Sequence, residues 1–139
     1  MNAGASAMTE AWRRDLAAWL AADPALAALV NGVHEADPVI ASEPYVVLGE
    51  GLALDWGVKD RTGREARIAL HALDRGDRPD RIAGIVAAID ARLAAMPAAG
   101  DDYRLVSLVY LRGRTARDAD RRWRHTLEYR ARLLAADPS

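Results

Sequence analysis

Three histidines are the chain's only imidazoles: His34, His71 and His125. Each falls on a separate predicted strand, with no His-x-His or His-Glu-x-x-His spacing. A metal site would need them gathered with a carboxylate; a strand histidine with a local hydrogen bond is the simpler expectation. Ser6, Ser42, Ser107 and Ser139 are the only serines, and none sits in a Gly-x-Ser-x-Gly elbow. Gly49-Glu50-Gly51 lacks the third glycine and the following helix of a dinucleotide loop. Arg75-Gly76-Asp77 matches a cell-adhesion tripeptide by letters only, and helix-start chemistry explains it better. The 14 Asp residues are scattered over turns and caps without a paired-carboxylate pattern. There is no Cys, which removes thiolate metal sites, iron–sulfur clusters, Cys nucleophiles and disulfides. The expectation is a chain without catalytic residues, cofactor or metal, and not an enzyme.

Two segments rise above this background. Residues 112–124 carry Arg112, Arg114, Arg117, Arg121, Arg122 and Arg124 against Asp118 and Asp120. Like charges this dense repel unless they meet acids or phosphates. They mark a solvated hairpin tip or a charged contact surface, for a neighbouring subunit or for a phosphate backbone. Residues 52–64 form a polar connection with Trp56 inside it and Lys59, Arg61 and Arg64 beside it. Connections of this length are often functional. Trp56 either anchors an interface or folds back over the sheet.

The elements that must position these residues follow from pattern. Residues 1–8 read as a flexible tail. Thr9 is placed to cap a helix whose apolar face is Trp12, Leu16, Trp19 and Leu20. Asp23-Pro24 restarts it as a short second helix, ended by Asn31-Gly32. Residues 33–36 offer a short strand, residues 45–48 a firm one, and residues 65–73 alternate as the next. Asp77 is the expected cap of a long amphipathic helix with Ile82, Ile85, Val86, Ile89, Leu93 and Met96 on one face. Residues 103–111 are apolar on both faces, which predicts a central strand covered on both sides. Residues 123–133 alternate cleanly, with Trp123, His125, Leu127, Tyr129, Ala131 and Leu133 facing in. The last two strands should form an antiparallel hairpin. The order is α-α-β-β-β-α-β-β, and the fold class is α+β. It is a mainly antiparallel sheet of four to five strands with one long helix and an N-terminal helical pair packed on it. The domain occupies residues 9–134, and residues 135–139 are a C-terminal tail. Trp12, Trp19, Ile82, Ile85, Ile89, Leu93, Leu108, Leu127 and Tyr129 are the expected core.

The chain has 139 residues, 51% of them apolar, which is 71 side chains; 30 are Ala, leaving 41 larger ones to build a single core. Net charge is −1, which argues against a strongly basic nucleic-acid binder. The longest apolar stretch falls far short of the roughly 18–20 residues of a membrane span. The N-terminus lacks the charged and apolar regions of a secretory signal, so a soluble intracellular product is expected.

Taken together, several segments resemble the tail-completion (tail terminator) proteins of long-tailed phages and related gene transfer agents. They are the run from Asp23-Pro24 through Val30 with Gly32, then Pro44-Tyr45-Val46-Val47-Leu48-Gly49, Asp55 through Lys59, and Gly63-Arg64-Glu65 with the strand to Leu73. The helix with Ile85 and Leu93 and the final hairpin ending Tyr129-Arg130-Ala131-Arg132 fit the same layout. The resemblance spans residues 10–134 and rests on order, spacing and length. Ile40 departs from it, standing where a more polar linker is expected. The resemblance implies a homo-hexameric ring that terminates the tail tube and docks to the head connector or stopper. DNA would pass through the lumen without specific binding. It implies a place in the tail or neck of a virion assembled in the bacterial host cytoplasm, with no membrane, no cofactor and no catalysis. Site residues are then interface candidates only: Trp56, Lys59, Arg61, Arg64, Arg112, Arg114, Arg117, Arg121, Arg122 and Arg124. Another neck component, and a small ligand-binding α+β domain or enzyme, are the alternative readings.

Overall fold

The computed structural model describes residues 3–38, 40–57, 59–118 and 120–136. Its elements run α1 (Ala3–Ala21), α2 (Pro24–Ala27), β1 (Val33–His34), β2 (Tyr45–Asp55), β3 (Gly63–Arg75), α3 (Asp80–Ala94), β4 (Tyr103–Arg117) and β5 (Arg122–Ala135). This is the order expected from the sequence. The five strands form one sheet in the order β1-β2-β3-β5-β4. Four of them pair antiparallel, while β1 lies parallel to β2, so the α+β fold carries a mixed sheet.

Period-2 alternation sends one side of each long strand under the helices. Ala66, Ile68, Leu70 and Ala72 of β3 and Leu127, Tyr129, Ala131 and Leu133 of β5 join Trp12, Leu16 and Leu20 of α1 and Ile85, Ile89 and Leu93 of α3 in one buried cluster. The opposite face has only a small cluster at one end, Tyr45, Val47 and Leu73, with Ala41 packed against it. Among the described residues the rest of that face carries no helix. Trp19 and Arg92 clasp α1 to α3: each donates to the other's carbonyl at 2.8 Å, and the guanidinium lies 3.4 Å from the indole centroid. Tyr103 and Tyr129 donate to Asp15 and Asp90 at 2.6 and 2.8 Å, tying the hairpin to both helices.

Several local expectations are corrected. Helix α1 begins at Ala3 and not after a Thr9 cap; it takes in residues 3–8, and Met8 is buried. At 19 residues it is longer than the 15-residue α3, so the sheet carries two long helices and not one. Asp77 does not cap α3, whose N-cap is Pro79 without a side-chain hydrogen bond. Buried Asp74 of β3 anchors that end instead, accepting from Arg81 at 2.8 and 2.6 Å. Asp23 does cap α2, accepting from the Ala25 amide.

Strand β4 is not the central strand its apolar pattern suggested but the sheet's edge. An edge strand bears apolar residues on both faces either when it is miscast or when something else covers it. Trp19 and Leu108, expected in the core, are only partly buried against it.

Candidate functional site

The two segments singled out for contact lie on two β-hairpins, and more of each is paired strand than a polar connection would have. The first runs through β2 and β3. Leu52 to Asp55 pair with Arg67 to Arg64, so the expected thirteen-residue connection shrinks to the turn between Asp55 and Gly63. Polar and small residues suffice here because backbone pairing, not side-chain burial, orders the arm. Trp56 closes the turn with its amide donating to Gly63 O at 3.1 Å. Its ring lies 5.3 Å from the Arg132 guanidinium, so it folds back over the sheet. Arg64 is engaged within the arm, donating to Asp55 at 2.9 Å and to Gly63 O at 2.8 Å. Lys59 is exposed and Arg61 half-buried.

The second hairpin joins β4 and β5. Its strands reach Arg117 and Arg122, so most of the arginine-rich segment is paired strand and only its tip is turn. That tip is clamped. Asp118 accepts from the Asp120 and Arg122 amides and from Arg122 Nε, each at 3.0 Å. Burial alone would push the Asp118 carboxyl up, but these hydrogen bonds from Arg122 and Asp120 hold it below its ordinary value. Arg122 also donates to Tyr45 Oη at 3.1 Å and lies 4.0 Å from Glu43. Arg117 donates to Gly76 O at 2.8 Å, and its guanidinium sits 4.8 Å from the Trp123 ring. Arg121, exposed, takes the left-handed turn position with φ 61°.

The open sheet face gathers the remaining arginines with Arg67, Arg130 and Arg132, which the alternation places outward but which are not among the interface candidates. Arg124, Arg130 and Arg132 of β5 alternate with the buried side chains, and register sets Arg67 beside Arg130 and Arg114 beside Thr126. Arg104 and Arg112 of β4 join them on this face, whose acids include Glu65, Glu128 and, at the β2 bulge, Glu50. Arg112 pairs with Glu128. Arg132 and Arg67 reach Glu65 at 3.2 and 3.4 Å, and together they outweigh its desolvation and keep its carboxyl below the ordinary value. A trough of about 630 Å³ crosses the face from Glu50 and Leu52 past Arg67 to Arg112 and Glu128. Strict alternation in residues 123–133 places Arg130 and Arg132 on this outward face, and the register agrees.

The histidines are not brought together. His71 shares a 2.9 Å hydrogen bond with Thr126, His125 one of 2.5 Å with Thr115, and His34 meets Tyr45 edge-on. The His71 ring crosses Gly49 so closely that a Cβ there would stand 2.5 Å from Nε2. Among the described residues no group of His, Asp and Glu has the makings of a metal site.

Burial depresses the affinity of both His71 and His125 for a proton, and Arg124 and Arg114 push His71 further down against the opposing Asp37. A histidine depressed below its ordinary 6.5 contributes full stability above that value and loses it as pH falls. The urea midpoint should therefore drop from about pH 7.5 to about pH 5.5, before the carboxylates titrate, and His71→Gln should shrink that drop. An unchanged slope in the variant would show that His71 is not a source of it.

The described residues thus form a helical layer on one sheet face and an arginine-bearing opposite face, with large exposed apolar side chains along β2 and β4. The family can be stated: the chain belongs to that of the tail completion protein gp17, whose model matches residues 14–134. It is similar to a chain in the virion of a native gene transfer agent (GTA) particle, at 28% identity and a TM-score of 0.74, covering 92% of this chain and 98% of that one. No curated protein sequence matches it. The chain is thus a structural tail protein of a phage or gene-transfer-agent particle.

Proposed function

We propose that copies of this chain close into a hexameric ring that ends the tail tube and joins it to the head connector or stopper. The observation that carries this reading is the family match over nearly the whole chain, residues 14–134. The subunit's surface supports it, since six of its eight large exposed apolar residues, Leu29 and Ile40 aside, lie on the outer strands β2 and β4. The ring sits in the neck of a virion assembled in the bacterial host cytoplasm. DNA threads the lumen without sequence-specific contacts, which a chain of net charge −1 permits. The tip of the β2–β3 hairpin, with Lys59 and Arg61, contacts the tube or a neighbour, and Trp56, folded back over the sheet, supports the base of that tip.

The test is to remove the chain from producing cells and image the products. Tails without it should grow past their normal length and fail to join heads, and restoring it should return both properties. Tails of normal length, already joined to heads, would overturn the reading. Labelled protein found outside the neck would do the same.

A further inference from the structure

We propose that neighbouring subunits dock through opposite edges of the sheet, the β4 edge of one copy against the β2 arm of a second copy. This rests on the ring reading above and names the seam that would build it.

The two edges match in both apolar and charged character. On β4, Val106, Val109, Tyr110 and Leu111 are between 37% and 48% exposed. On β2, Leu52 and Leu54 are 58% and 44% exposed. Large apolar side chains along both free edges of one sheet are a liability unless covered. The charges are segregated between the same two strands. Strand β4 holds Arg104, Arg112, Arg114 and Arg117 and no acid, whereas β2 holds Glu50 and Asp55 and no base. Of these, the side chains of Arg104 and Glu50 have no hydrogen-bond or ion-pair partner among the described residues, and Arg114 acts on Glu128 and His71 only at longer range.

The geometry suits closure. Beyond its pairing of Val46 and Val47 with β1, β2 has no strand on its outer side among the described residues. Because the edges lie at opposite ends of the sheet, the contact is head-to-tail, which is the kind that generates rings. Strand β4 has register shifts between Leu105 and Ser107 and between Tyr110 and Arg112, so Val106 and Leu111 are the inserted residues. Bulges of this kind interrupt a ladder, so the seam is made by side chains and not by an added strand. On the receiving side, a notch of about 230 Å³ lies between α1 and β2, lined by Thr9, Trp12, Arg13, Gly51 and Ala53 among others. The indole N–H of buried Trp12 has no acceptor among the described residues.

Because the chain has no cysteine, crosslinking reads the seam directly. Leu52→Cys or Leu54→Cys is combined with Val106→Cys or Leu111→Cys, and assembled tails are oxidised. The two edges of one subunit are about 14 Å apart across three strand spacings, too far for an internal disulfide. Double variants should give a ladder of covalent oligomers, and single-cysteine chains, which also serve as folding controls, should stay monomeric. As a second measurement, Glu50→Arg should cut incorporation into tails at least tenfold, with Arg114→Glu restoring it. Imaging separates the two readings. A ring at the neck with every cysteine combination monomeric overturns the seam and leaves the ring standing, while absence of any ring overturns both. Normal tails from Arg104→Glu/Arg114→Glu subunits that deliver no DNA would place these arginines at the lumen and also overturn the seam.

Discussion

Ile89→Ala is expected to lower the unfolding free energy of the subunit by about 2–5 kcal/mol. Ile89 is fully buried, on the α3 face that packs against α1 and the sheet. Removing its outer carbons forfeits their transfer free energy and leaves a cavity. Helix α3 is poorly placed to collapse into that space, because Asp74 holds Arg81 at its start and Trp19 holds Arg92 near its end. The loss is a large part of the roughly 5–15 kcal/mol available to a domain. Val86→Ala, on a partly buried position of the same helix, should cost less. Urea unfolding of the purified subunit measures both. A loss below about 0.5 kcal/mol for Ile89→Ala would put this face at the surface.

The sequence makes the helix faces and β5 legible because each has a period to read. Ile82, Ile85, Ile89 and Leu93 recur at helical spacing, Leu127 to Leu133 alternate, and all are buried. Strand β4 defeats the same reasoning. Its apolar residues on both faces imitate a buried strand, and two inserted residues scramble its alternation, so composition alone cannot distinguish an edge from a centre. Residues 52–55 were read as connection because Gly49 and Gly51 look like a break, yet the break is a bulge at which β2 continues. The arginine cluster was visible as composition, but its division was not. Whether an arginine is spent within the subunit, as Arg64, Arg117 and Arg122 are, or left outward, as Arg104 and Arg114 are, depends on long-range partners such as Glu43, Tyr45 and Gly76.

Reversing Arg122 and Arg121 separately should therefore give opposite results, although the two are adjacent in sequence. Arg122 is shielded at the point where the hairpin tip meets the start of β2, facing Asp118, Glu43 and the Tyr45 hydroxyl. Arg122→Glu removes the only described cation touching Asp118 and sets a third carboxylate beside Asp118 and Glu43. Arg75, which also reaches Glu43 at 3.2 Å, is more exposed and answers only part of that charge. A loss of about 2–3 kcal/mol in subunit stability is expected, together with fraying of the tip. Arg121 is exposed, and its contacts are backbone ones, an amide that donates to Asp118 O at 3.0 Å and a carbonyl that accepts from Arg117 at 3.4 Å, which a glutamate supplies as well. Arg121→Glu should stay within about 0.5 kcal/mol of the parent. Urea denaturation and amide exchange at the tip check both. Equal and small effects would mean that the clamp contributes nothing to stability. Equal and large ones would mean that Arg121 has a role in the fold beyond its turn conformation. If Arg121→Glu instead leaves the isolated subunit intact but stops tails from terminating, the exposed side of the tip belongs to the assembly interface.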